Sequence, residues 1–388
     1  STPLYSSAAS DVYKRQNNNM KLCCIFNIPS LYREKIYKEI DKEYDCEWYF
    51  EEEDNDINVF DIKELHQASL LEHRKFLSRF YQMKGLIGRL WKRNDFDAYL
   101  MIGAPMCISI WILCLLLRIF YPSKKIYFWT HGWYGKESKS EAIVKKAFLK
   151  LAHGLFLYGN YAKEQLVSKG FKSENLHVLH NSLSYDVQLT LRNSINESSV
   201  YKEHFNNDNP VIVFIGRLTP IKQLDMLLKA ISKLTKAGKK FNLALIGNGS
   251  MRQSLEQSAK ELEMIDKVWF YGACYDEKVN AELVYHADLC VSPGNVGLTA
   301  IHSMMFGTPV ITHNNFAYQM PEFEAIRRSE TGDFFEQGSI DSLALSIENW
   351  FVNKSGKRLE VRNACFKEID EQWNPYFQMK VFKSVLRK

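Results

Sequence analysis

The stretch Ser292–Asn315, SPGNVGLTAIHSMMFGTPVITHNN, leaves an apolar strand, turns on Gly294 and Gly297, and enters a short helix over Leu298–Phe306. Gly307 and Pro309 stop that helix, and TPVITHN follows as a second strand. A strand, a glycine turn and a helix start in this order place free backbone N–H groups where an anion can meet them. A histidine, His302, sits one turn inside the helix.

Upstream of this stretch, VIVFIGRL, FNLALIG, VWFYGA and ADLCVSPG are short apolar runs separated by longer helical patterns. The helix after VIVFIGRL repeats Leu224, Leu227, Leu228, Ile231 and Leu234 on one face, as a helix packed on a sheet requires. The same alternation occupies the first half of the chain, with KLCCIFNI, CEWYF, DAYLMIGA, IYFWTHG, GLFLYGN and LHVLHNS as strands. Such alternation predicts an α/β class: two doubly wound, Rossmann-like domains facing a cleft. The polar stretch over 190–210 breaks the rhythm and reads as a linker between a domain of 20–189 and one of 211–356. Helices over 357–388 follow and are expected to cross back to the first domain.

With 388 residues, 46% of them hydrophobic and 24% charged, the chain is long enough for two cores and excludes disordered and collagen-like classes. A net charge of +5 is too mild to argue for nucleic acid as a partner. The eight cysteines form no C-x-x-C pair and lie mostly in apolar runs, which predicts buried thiols and a cytoplasmic setting. Residues 1–19 have no periodicity and end abruptly at Met20; they resemble translated adapter sequence and read as a non-native leader.

Two cations accompany the anion turn. Arg217 follows VIVFIG directly, and Lys222 opens the next helix, a spacing suited to a diphosphate. GNGS at Gly247–Ser250 is a tight strand-to-helix turn rather than a dinucleotide fingerprint. Asp54-Asn55-Asp56 has D-x-D spacing but lies in the acidic run EEEDND and reads as a solvated loop. No other cluster has metal spacing, so neither a metal nor a cofactor is expected. The apolar run over 98–121 contains Pro105 and splits into a strand and a buried helix. The segment Leu70–Arg93, with seven basic residues and interleaved Phe76, Phe80, Tyr81 and Trp91, reads as a surface helix suited to anionic lipid.

GRLTPIKQLDMLLKAI, ALIGNGS, VWFYGACYDEKVNAELVYHADLCVSPG and GLTAIHSMMFGTPVITHNN resemble, in order and spacing, the carboxy-terminal domain of family-four glycosyltransferases of the GT-B fold. WTHG at Trp129–Gly132 extends the resemblance to the first domain, and the PGNVGLTAIHS form is similar to transferases of bacterial surface-polysaccharide (capsule) clusters. The resemblance implies a retaining enzyme that takes a sugar from a nucleotide-diphosphate donor to a saccharide or lipid-linked acceptor; the lack of metal spacing makes it metal-independent, and the basic aromatic segment suits the inner face of the membrane. The resemblance assigns donor binding to Arg217, Lys222, Asn295, Val296, Gly297, Leu298, Thr299 and His302, and places His131 over the transferred sugar as the catalytic candidate. The family's E-x7-E is degenerate, with Gly294 and His302 in place of the two glutamates, and Glu322 and Glu324 are the nearby carboxylates available for the sugar. A nucleotide-sugar epimerase of the same fold and a non-catalytic nucleotide-sugar-binding subunit are the alternatives.

Overall fold

Described by the computed structural model are residues 20–52, 58–76 and 79–387, so the leader over 1–19 and the D-x-D at 54–56 lie outside the described residues. The chain forms two units, the first running to His180 and taking in Pro375 onward, the second spanning Asn181–Asn374.

The first unit runs β1 (Lys21–Phe26), α1 (Glu34–Glu43), β2 (Asp45–Glu52), β3 (Ala68–Phe76), β4 (Phe80–Met83), α2 (Leu86–Leu90) and β5 (Ala98–Ile102). It continues with α3 (Ile108–Phe120), β6 (Lys125–Thr130), α4 (Lys139–Leu149), β7 (Gly154–Leu157), α5 (Asn160–Ser168) and β8 (Leu176–Val178). The strands form one sheet in the order β4-β3-β2-β1-β5-β6-β7-β8, parallel except at the β3–β4 pair. Residues such as Cys24, Leu100 and Phe156 are fully buried because helices cover both faces of the central strands, which is why those strands read as continuous apolar runs. Strand order reverses between β1 and β5, so the crevice at their carboxyl ends is the natural ligand position of this unit.

In the second unit, α6 (Tyr185–Ser194) and α7 (Val200–Phe205) precede β9 (Val211–Ile215), α8 (Leu224–Lys236), β10 (Asn242–Ile246), α9 (Arg252–Glu261) and β11 (Val268–Gly272). Then come α10 (Glu277–His286), β12 (Leu289–Ser292), α11 (Leu298–Met305), β13 (Val310–His313), β14 (Gly332–Phe335), α12 (Ile340–Asn353) and α13 (Arg358–Gln372). Its sheet, β11-β10-β9-β12-β13-β14, is wholly parallel, and the order reverses between β9 and β12. The face of α8 predicted from spacing is buried: Leu224, Leu227, Leu228, Ile231 and Leu234 are each at most 4% exposed.

The last helix, α14 (Pro375–Val385), belongs to the first unit. Phe382 is fully buried there, its ring 5.3 Å from that of Trp129 and 4.5 Å from that of Phe156. The helix α13, by contrast, stays with the second unit.

Two sequence expectations are corrected. The segment Leu70–Arg93 is not a helix: β3 and β4 form an antiparallel pair at the sheet edge, and α2 is a separate short helix. Along β3 Leu71 is buried, whereas Glu72, Arg74 and Lys75 are exposed, and the short β4 forms the outer edge of the sheet. Lys84 pairs with Glu72 and Arg93 with Glu47 and Asp95, so part of its basic charge is locally balanced. The stretch 190–210, read as a linker, carries the end of α6 and all of α7, and the division between units falls earlier, between His180 and Asn181. As expected, 98–121 divides into β5 and a helix, α3, but that helix is buried on one face only, with Ile112, Leu115, Ile119 and Phe120 exposed; among the described residues no helix is long and apolar enough to cross a membrane.

Candidate functional site

The reversal between β9 and β12 brings together the two segments singled out by the sequence. Gly216 and Arg217 leave β9, and the turn Pro293–Gly297 leaves β12. Thr299, in the first turn of α11, donates its hydroxyl to the carbonyl of Ile215 at 2.9 Å and so pins the start of α11 against the end of β9. The first N–H groups of α11 have no intrahelical acceptors by position, and the helix dipole adds partial positive charge there.

Lys222 is the centre of the site. Its ammonium donates to the carbonyl of Asn295 at 2.7 Å and to Asn295 Oδ1 at 2.9 Å. It lies close to where a side chain on Gly297 would begin, 4.0 Å from that point. Burial pushes the Lys222 ammonium down to about 8; Glu322 acts against that shift and Arg217 adds to it. A partly dehydrated cation beside a helix N-terminus is arranged for an anion, since the ligand's charge would offset the cost of burial. Arg217 is exposed at the mouth of β9, free to fork two oxygens.

Position 294 is reserved for glycine by its surroundings. The N–H of Gly294 donates to the carbonyl of Lys222 at 3.0 Å, and a Cβ on Gly294 would overlap the carbonyl oxygen of Ile221. Only glycine permits this approach of the turn to the segment that carries Lys222. Gly297 caps α11 with φ of 53° and ψ of −149°, a conformation that also favours glycine. Gln319 completes the turn: its side-chain oxygen accepts from the N–H of Val296 at 2.8 Å, and its amide nitrogen donates to Thr312 Oγ1 at 2.8 Å. Val296 itself is fully buried, and its N–H is thereby occupied. It shapes the turn.

His302 has a partner that spacing does not reveal. Its Nε2 donates to Glu277 Oε1 at 2.8 Å, and the same oxygen accepts from Gln188 Nε2 at 2.7 Å. Burial by itself raises the Glu277 carboxyl, but the adjacent imidazole and the Gln188 amide outweigh it and hold the group below its ordinary range. A carboxylate therefore does stand beside this helix, delivered from the start of α10 instead of from α11. Glu322 and Glu324 lie in the single-turn 3₁₀ segment Pro321–Ala325. Glu322 is buried and accepts from Asn181 Nδ2 at 2.8 Å, whereas Glu324 is half-buried.

His131 lies in the first unit, directly after β6. Its ring is 4.7 Å from that of Tyr158, and burial pushes its pKa down to about 4, with the Arg33 and Lys145 charges adding to the shift. The imidazole is neutral near pH 7. The GNGS turn packs through its two glycines, since a Cβ on Gly247 or Gly249 would overlap the carbonyl of Gly216 or Leu218. It supports the Arg217 loop from below.

The family described as Glycosyl transferases group 1 matches residues 196–368. An uncharacterized glycosyltransferase of Methanocaldococcus jannaschii is 25% identical over 244 residues, 58% of this chain and 60% of that relative. A GDP-mannose-dependent alpha-(1-6)-phosphatidylinositol dimannoside mannosyltransferase of Mycobacterium tuberculosis is 34% identical over 110 residues, 28% of each chain. The chain thus spans 60% and 28% of the lengths of these two relatives. The crystal structure of Anabaena HepE in complex with UDP superposes with a TM-score of 0.72 at 14% identity, covering 94% of this chain and 99% of that one. The segment 196–368 is thus similar to glycosyl transferases group 1, and the chain has the two-sheet GT-B fold.

Proposed function

We propose that the chain is a glycosyltransferase moving a sugar from a nucleotide-diphosphate donor to a saccharide or lipid-linked saccharide acceptor in surface-polysaccharide synthesis, with retention and without a metal. The observation that carries this reading is the half-buried Lys222 ammonium held against the N-terminus of α11 at the strand-order reversal, with Arg217 at the mouth of the adjacent strand.

In the reaction, the bond from the anomeric carbon to the diphosphate oxygen breaks as the acceptor oxygen bonds to that carbon on the same face. The acceptor proton passes to the departing phosphate oxygen. Arg217, Lys222 and the first N–H groups of α11 stabilise the charge that develops on the diphosphate. His302, oriented by Glu277, hydrogen-bonds the donor ribose. His131 meets the sugar as a neutral imidazole, and Glu322 and Glu324 supply carboxylates for its hydroxyls.

The experiment is release of nucleotide diphosphate from a panel of nucleotide sugars, with and without saccharide and lipid-linked acceptors, each in excess chelator. The expected result is acceptor-dependent release from one donor class that survives chelation. Interconversion of donor sugars without acceptor would instead mark an epimerase, and binding without any turnover a non-catalytic subunit.

A further inference from the structure

The strand-order reversal of the first unit also holds a cavity, of about 300 Å³, at the carboxyl ends of β1, β5, β6 and β7. Arg33, Gly103, Trp129, His131 and Tyr158 are among its walls. Arg33 is only 8% exposed, yet among the described residues it has no carboxylate partner. Its guanidinium donates to the Tyr158 hydroxyl and, weakly at 3.4 Å, to that of Tyr37. The rings of Tyr32, Trp129 and Tyr158 surround it at 5.3–5.6 Å. Five N–H groups are available to a guanidinium, so two tyrosine hydroxyls leave most of its capacity unused.

Around this cavity the unpaired buried polar atoms are nitrogens: among the described residues, Arg33 Nε, Trp129 Nε1 and His131 Nδ1 have no hydrogen-bond partner. Two of these are donors only, and the third becomes a donor in the tautomer that carries its proton on Nδ1. A buried cation without counter-charge is costly, and a wall of unmatched donors adds to that cost. An oxyanion in the cavity offsets the cost of the buried cation.

We propose that this cavity binds an oxyanion carried by the acceptor, a carboxylate or a phosphate on its saccharide, with Arg33 as the fork that holds it. The word acceptor rests on the transferase reading above; the anion site rests only on the first unit's own geometry. It assigns the enzyme an acidic acceptor rather than a neutral one. Arg33 would set that specificity by charge and shape, since a neutral sugar leaves the guanidinium unmatched.

The test is calorimetric titration of the full chain, without any nucleotide sugar, with methyl glucuronide, glucose 6-phosphate and methyl glucoside. The expected result is binding of one or both acids at least about tenfold tighter than the neutral glucoside, the stronger acid identifying carboxylate or phosphate as the group. Arg33→Gln should remove that preference, Arg33→Lys should keep part of it, and Arg217→Ala should leave it intact. Equal affinity for all three sugars, no binding of either acid, or an unchanged preference in a folded Arg33→Gln protein overturns the proposal. Should Arg33→Gln fail to fold, Arg33→Lys decides by itself, an undiminished preference counting against the fork. Because no donor is present, failure here is separate from failure of nucleotide release.

Discussion

At Gly294 a single hydrogen atom in place of a side chain lets the backbone of Ile221 and Lys222 lie against the turn after β12. Gly294→Ala is expected to lower the unfolding free energy by roughly 1–3 kcal/mol, the usual cost of forcing an extra carbon into a closed site, and to weaken donor binding as Lys222 shifts. Thermal melts with and without nucleotide check both effects; a melt matching the parent chain would show that the turn has room. Lys222 gives a prediction in pH. With the ammonium as the proposed donor-binding form and burial lowering it to about 8, kcat/KM for the donor should fall as pH rises through that value. Lys222→Arg, which stays charged, should flatten the alkaline limb, and an unmodified profile in that variant would remove Lys222 from donor binding.

At the scale of elements, α10 and α11 meet where Glu277 accepts a hydrogen bond from His302 Nε2. Glu277→Gln keeps the packing but removes the charge that fixes the imidazole. It should raise the donor KM less than His302→Ala, which is expected to raise it roughly five- to tenfold with kcat little changed. Loss of kcat with KM unaltered would make the pair a proton-transfer device. The sequence does show α8 and α11, because their apolar spacing and stop signals are local. It does not show Glu277 as a partner of His302, since 25 residues and a strand separate them and only the fold brings them together. The β3–β4 pair is misread for a different reason. Its basic and aromatic residues mark neither the helical nor the strand period, and pairing of β3 with β2 on one side and β4 on the other settles the choice.

Over the whole molecule, two rounds of strand and helix are legible because parallel strands buried on both faces must be continuously apolar. The boundary is less so. Polar composition over 190–210 suggests a linker, yet Tyr201 donates its hydroxyl to the carbonyl of Leu283 at 2.7 Å and Tyr185 to Asp370 at 2.8 Å, which binds α6 and α7 into the second unit. Their remaining faces are solvated and read as loop. The glycine turn after β12 and the two cations after β9 are legible because they sit within a few residues of strand ends, whereas the steric demand at Gly294 belongs to a contact between segments about seventy residues apart. The central claim is that Arg217, Lys222 and the start of α11 hold a nucleotide diphosphate. Titration of UDP and of GDP into the chain, Arg217→Ala and Lys222→Ala, all in chelator, tests it most directly. The account predicts that one of the two nucleotides binds and that each substitution weakens it by on the order of 2–4 kcal/mol; undiminished affinity in both folded variants would contradict it.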